Sequence, residues 1–311
     1  MGWVTACSGA LPTDETPQAR PTKKVPAAPV AAAVEGLSGD GVLALAPPGV
    51  ERVRVNAGSF MMGSTSHEVM AAIQACAAEP MGDLELCERT GEYANELEAH
   101  EVYLSPYWID RTEVTVARYR TCVSTGVCNE LPYASGGTRF DEPTFPAVLM
   151  SYGDAKTFCQ WAGGRLPTEA EWERAARGKH GRRFPWGNVY NAFLSNHGRL
   201  AWDDLDDADG FLELAPVGSF PDGASEDGAL DLAGNVEEWV LDYYAPSYEE
   251  VSALNPRGPA SGDEHVVRGG SYAHVASGVR AAARGHAMPD QRRSWRGFRC
   301  AYRSADAGST F

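Results

Sequence analysis

The sequence predicts an α+β domain of low regular secondary structure over residues 51–303, braced by disulfides and preceded by an unstructured tether. Three observations carry this. Short capped helical stretches are confined to the region before Gly178, and the chain beyond it is dominated by loops rich in Asp and Gly. Of the 7 cysteines, all but Cys7 fall within the domain. With 311 residues and 43% hydrophobic content, the chain can build a sizeable core.

The elements follow in order. Val4-Thr5-Ala6-Cys7 looks like a bacterial lipobox, whose Cys7 would be lipidated after removal of a signal peptide encoded by an upstream start. Residues 8–48 are rich in Ala, Pro and Gly without periodicity, too little apolar surface to offset ordering entropy. Together residues 1–50 read as a lipobox-like segment and a disordered tether, and residues 304–311 as a disordered tail. Arg52, Val53, Arg54 and Val55 alternate as a strand, and two glycines, Gly58 and Gly63, break the pattern after it. Ser66 suits a helix cap, with Val69, Met70, Ile73 and Cys76 on one face. Thr115 starts a second helix carrying Val116, Tyr119 and Val123, ended by Gly126. Ser151 and Asp154 form a capping box ahead of Ala155, Phe158, Cys159 and Ala162. Thr168 and Glu171 repeat it ahead of Trp172, Ala175 and Ala176, stopped by Gly178. The long irregular region that follows needs pinning by disulfides or cations.

Cys76 with Cys87 and Cys122 with Cys128 are spaced to close short loops, which leaves Cys159 with Cys300. No CxxC spacing points to zinc, so oxidised cysteines and an extracytoplasmic compartment, the bacterial periplasm or outer surface, are expected. The net charge of −15 repels phosphate backbones and excludes a nucleic-acid footprint. No apolar run is long enough to span a bilayer, which leaves a lipid anchor as the membrane link.

At Gly163-Gly164-Arg165-Leu166-Pro167-Thr168-Glu169-Ala170-Glu171-Trp172-Glu173 the chain resembles the formylglycine-generating enzyme, or sulfatase-modifying factor, family. Further matches run in family order: Gly58 to Gly63, Asp110 to Thr115, Phe184-Pro185-Trp186-Gly187-Asn188, Gly234-Asn235-Val236-Glu237-Glu238-Trp239, Arg268-Gly269-Gly270-Ser271-Tyr272 and Gly297-Phe298-Arg299-Cys300. The resemblance implies a relative of the C-type lectin fold stabilised by calcium, and it too pairs Cys159 with Cys300. It also implies one calcium site at Asp231, Gly234, Val236 and Glu238, with side chains at the ends and carbonyls between. A second would use Asn196, His197, Asp209 and Phe211, the histidine and phenylalanine through their carbonyls.

Family members that oxidise a sulfatase cysteine to formylglycine carry two cysteines shortly after the Arg-Gly-Gly-Ser-Tyr motif, and these bind copper(I). In this chain Tyr272 is followed by Ala273, His274, Val275, Ala276, Ser277, Gly278, Val279 and Arg280, with no thiol. Copper is therefore not expected, and neither is formylglycine formation by the copper route. Ser271, Tyr272, His274, Trp239 and Arg284 are candidates to line the inherited cleft, with Tyr272 and Trp239 alternatively core aromatics. His265, His274 and His286 read as surface histidines. The expected role is a binding module for a peptide, glycan or envelope protein. The alternatives are an oxidoreductase of altered chemistry, as in siderophore-maturation relatives that also lack the cysteine pair, and a sulfatase-activating oxidase.

Overall fold

A computed structural model describes residues 50–79, 84–89, 93–133, 139–198, 207–248 and 252–304. The lipobox-like Cys7, the tether over 1–49 and the tail from 305 lie outside the described residues. Among the described residues the domain holds nine short strands in three sheets. Strands β1 (Arg52–Val55), β4 (Tyr107–Asp110) and β9 (Ala301–Arg303) form an antiparallel sheet with β4 in the middle. Strands β2 (Gly58–Met62) and β3 (His100–Leu104) form an antiparallel pair. The four-stranded sheet runs β7 (Arg284–Ala287), β6 (His265–Arg268), β5 (Glu237–Tyr243), β8 (Arg296–Phe298), and β5 and β8 are parallel.

Five helices accompany them: α1 (Ser66–Ala78), α2 (Leu84–Arg89), α3 (Val116–Ser124), α4 (Tyr152–Trp161) and α5 (Glu169–Arg177). The capping boxes at Ser151/Asp154 and Thr168/Glu171 form as the spacing requires, and Thr115 caps α3. Three local expectations are corrected. Thr65, not Ser66, caps α1, because Thr65 exchanges hydrogen bonds with Glu68 three positions on. Met70 is 48% exposed, and Ala72 takes its place beside Val69 and Ile73 on the buried face. The segment after Gly58, read as a break, is a strand because pairing with β3 buries Phe60 and Met62 on one face.

One core gathers α3 and α4 against β5, β6 and β8, around Tyr119, Phe158, Trp239 and Phe298. A second lies under α5 and β2–β4, around Phe60, Tyr107, Ile109 and Trp172. The three expected disulfides are present: Cys76–Cys87, Cys122–Cys128 and Cys159–Cys300, the last joining positions 141 apart. Cys159–Cys300 pins the far end of the irregular region after Gly178, as expected, and no cysteine lies between Gly178 and Cys300. Backbone contacts to the first half hold the stretch between, among them Val217 N to Thr144 O (3.0 Å) and Leu230 N to Arg111 O (2.7 Å).

Helix α5 is unusual in its chemistry. Every residue from Glu169 to Arg177 is buried, although five carry formal charge. Each charge has a partner: Glu171 with Arg165, Glu173 with Arg268, Glu169 with Arg284, Arg174 with Asp227 and Arg177 with Glu68. A buried ion costs several kcal/mol in lost hydration unless paired, so the helix can occupy this position only with those five partners in place.

Candidate binding cleft

A cleft of about 340 Å³ opens between two walls. Tyr93, Asn95 and Glu96, which follow α2, form one wall. The other is the chain from Gly269 to His286, contributing Gly269, Gly270, His274, Ser277, Gly278 and Arg280 and, from β7, Arg284, Gly285 and His286. Polar contacts tie the walls together. Arg280 grips Glu96 through two hydrogen bonds of 2.8 and 2.6 Å, and Tyr93 Oη donates to Ser277 Oγ at 3.1 Å. Arg284 Nη1 donates to the Asn95 carbonyl at 2.6 Å and its Nε to Glu169 at 2.6 Å. The charge of Glu169 and stacking on Tyr248, 4.2 Å away, keep that guanidinium protonated even though burial opposes it. The turn that carries the cleft floor depends on Gly270. Its φ of +63° is a left-handed conformation, and a Cβ there would lie 2.7 Å from the Gly278 carbonyl.

The structure brings together some of the sequence candidates and separates others. His274 and Arg284 line the cleft. Ser271 lies fully buried beneath it, with Oγ hydrogen-bonded to His274 Nδ1 at 2.8 Å, so it orients the imidazole and leaves Nε2 for the cleft. Tyr272 and Trp239 are core residues. Trp239 is 0% exposed and donates to Met150 O, and the Tyr272 hydroxyl pairs with Ser294. On the same strand Glu237 reaches the cleft, whereas Trp239 belongs to the core. His265, read as a surface histidine, is 3% exposed and stacked between Tyr152 and Tyr243, at 3.5 and 4.3 Å. Burial pushes its pKa down. The wall from Tyr93 to Glu96 carried no periodic signal and was missed. Its only sequence cue was the cysteine pair before it.

Around the first proposed cation position, Glu238 is fully buried. It accepts hydrogen bonds from Arg299 Nε (2.9 and 2.8 Å), Arg299 Nη2 (2.7 Å) and Trp172 Nε1 (2.9 Å). Asp231 accepts from Gly218 N at 2.6 Å. Glu113 accepts from Asn235 Nδ2 at 2.9 Å, but its Oε2 is buried without a partner. Burial raises the pKa of all three carboxyls, and for Glu113 the Asp231 charge adds to it. Glu113, Asp231 and Glu238 gather hard carboxyl oxygens, the donor type that calcium takes. Among the described residues no three His, Cys, Asp or Glu side chains converge as a metal cluster. A cation here would therefore rely on the Gly234 and Val236 carbonyls. At the second position Asp209 accepts from the amides of His197 (3.1 Å) and Phe211 (2.9 Å), while Asn196 Nδ2 donates to Glu213 O (2.6 Å) and Asn235 Oδ1 (3.0 Å).

All six domain cysteines are disulfide-bonded, so none offers the cleft a thiolate. Among the described residues no helix is long and apolar enough to cross a membrane.

Comparison with known proteins places this architecture. The chain is 34% identical to the formylglycine-generating enzyme of Streptomyces coelicolor over 276 residues, 71% of this chain and 87% of that enzyme. It is 36% identical over 177 residues to the inactive C-alpha-formylglycine-generating enzyme 2 of Bos taurus, covering 55% of this chain and 54% of that protein. The chain spans about half the length of the mammalian relatives it matches, 47% for the Bos taurus formylglycine-generating enzyme. Among solved structures, PvdO from Pseudomonas aeruginosa superposes with a TM-score of 0.63 at 27% identity, covering 80% of this chain and 93% of PvdO. The sulfatase-modifying factor enzyme 1-like domain model matches residues 45–304. That match takes in every strand and helix described above, and the chain belongs to the sulfatase-modifying factor enzyme 1-like family.

Proposed function

We propose that the domain is a calcium-stabilised, extracytoplasmic binding module whose cleft takes an extended peptide, and that it does not make formylglycine by the copper route. One observation carries the reading: the cleft is lined by main chain at Gly269, Gly270, Gly278 and Gly285 and by His274, with no thiol. Main chain free of side-chain cover offers N–H and C=O groups to a peptide backbone, the basis of strand-like recognition. Copper(I) prefers soft thiolate ligands, and the lining supplies oxygen and imidazole nitrogen. A glycan or a folded envelope protein is the other ligand class compatible with a polar cleft. Three disulfides support an oxidising compartment, and acylation of Cys7 would tether the domain there.

The test is equilibrium binding of a fluorescent peptide library to the purified protein. Selected peptides should lose at least tenfold affinity in His274→Ala, and the Cu(I)-loaded protein should yield no aldehyde from a sulfatase-motif peptide. Aldehyde product overturns the proposal. The orientation of His274 by Ser271, with His286 in the same cleft, favours a second reading as an oxidoreductase of altered chemistry. Copper or iron co-purifying in stoichiometric amount would select it.

A further inference from the structure

Helix α1 and the residues around α2 form a satellite of the domain. Val69, Ile73 and Cys87 are buried together with Cys76, Tyr93 and Leu97 against them, in a small cluster separate from both main cores. The cluster is stitched internally by Cys76–Cys87. On either side of that bridge the chain reaches the opposite cleft wall. Three residues beyond Cys76, Glu79 Oε1 accepts the amide of Ser277 at 2.9 Å. Six residues beyond Cys87, Tyr93 donates to Ser277 Oγ at 3.1 Å and lies under Arg280, 5.2 Å away. Glu96 then accepts both Arg280 hydrogen bonds. One hold on Ser277, that of Glu79, thus lies inside the loop that the bridge closes, and the other, that of Tyr93, follows it.

The six cysteine residues differ in exposure. Cys122, Cys159 and Cys300 are 0% exposed, Cys87 is 3% and Cys128 is 7% exposed. Cys76 alone is half-buried. A thiolate needs a line of approach to the sulfur it attacks, and that difference favours attack at Cys76.

We propose that Cys76–Cys87 is a redox latch on the cleft. A dithiol attacks the Cys76 sulfur and the S–S bond breaks. Two electrons and two protons pass to the cysteines, and the dithiol leaves as its own disulfide. The satellite then loses its internal tie, the contacts of Glu79 and Tyr93 with Ser277 loosen, and the cleft opens while Cys122–Cys128 and Cys159–Cys300 stay intact. The consequence for ligand binding rests on the peptide-cleft reading, but the latch itself does not.

The experiment titrates the full chain with dithiothreitol under native conditions, alkylates free thiols, and reads sites by mass spectrometry alongside hydrogen–deuterium exchange. Cys76 and Cys87 should alkylate first. Exchange should rise at least fivefold at residues 93–96 and 277–280, and remain unchanged in α4 and β5. Prior reduction of either other bridge overturns the proposal, and so does reduction of Cys76–Cys87 with no change in exchange at the cleft. Glu79→Ala, which keeps the bridge and removes the acceptor of the Ser277 amide, should raise exchange at that amide without any reductant, and an unchanged Ser277 amide in that variant overturns the proposal. Failure of peptide binding with these results intact would refute the peptide-cleft reading alone.

Discussion

Removing the Glu173 carboxylate tests whether the charges of α5 are held as a set. Glu173 is 0% exposed and accepts from Gly63 N at 2.8 Å, from Arg177 Nη1 at 3.2 Å and from Arg268 Nη2. Arg268 is itself fully buried, and the nearest remaining acid, Glu169, lies 3.8 Å from its Nε. Glu173→Ala leaves that guanidinium hydrogen-bonded to carbonyls only, Ala282 O at 2.8 Å, Ala283 O at 2.6 Å and Ala281 O at 3.3 Å, with Glu169 as its one, more distant, ion pair. Breaking one side of a buried pair typically costs about 3–5 kcal/mol, far more than the net value of the pair itself. For a domain of this size that corresponds to a fall in Tm of roughly 10 °C. Thermal unfolding followed by tryptophan fluorescence measures it. Glu51→Ala is the internal control. The Glu51–Arg111 pair is 70% and 40% exposed on its two sides, so its loss should stay within about 0.5 kcal/mol. A Glu173→Ala loss below about 1 kcal/mol would mean that water or a shifted partner compensates Arg268, and the reasoning for the whole helix would fail.

Three further outcomes follow from the same geometry. Replacing Cys159 and Cys300 by Ala should destabilise by about 5 kcal/mol, because that bridge closes the longest loop; urea unfolding reads it, and a loss no larger than that of a Cys122/Cys128 double variant refutes the ordering. Burial, followed by the charge of Glu169, raises the Asp242 pKa to about 7. The folded state therefore binds the proton more tightly than the unfolded chain. Its contribution is complete below about pH 4 and is lost as pH rises towards 7, and Asp242→Asn should flatten that slope in unfolding measured from pH 4 to 8. Chelation with EDTA should lower Tm, by the equivalent of about 2.7 kcal/mol when calcium had been present at a hundredfold its Kd, and an unchanged Tm would remove calcium from the account.

Much of the first half was legible because its signals are local. The capping boxes at Ser151 and Thr168 specify helix starts within four residues, and the cysteine spacing marked two short loops. The strands from β5 onward were not legible. They are three to seven residues long, and β5 pairs in parallel with β8 across more than fifty intervening positions, so no local period announces them. The candidate site divided the same way. His274 and Arg284 follow a motif and were found. Tyr93, Asn95 and Glu96 reach the cleft only through tertiary packing and carry no pattern of their own. Trp239 and Tyr272 lie within the same motifs, yet both pack into the core, a direction that tertiary packing decides and residue type alone does not.

Strands β1 and β9 flank the same central strand. With neighbouring strands about 4.8 Å apart, the chain enters and leaves the folded unit within roughly 15 Å. A body whose two ends meet in this way can be spliced into a surface loop of another protein, or hung from a cable at either end, without redrawing its interior. The same closure has a cost during synthesis: β4 has no partner on its second side until Ala301–Arg303 emerge from the ribosome, so a nascent chain halted short of Ala301 would expose an unpaired edge.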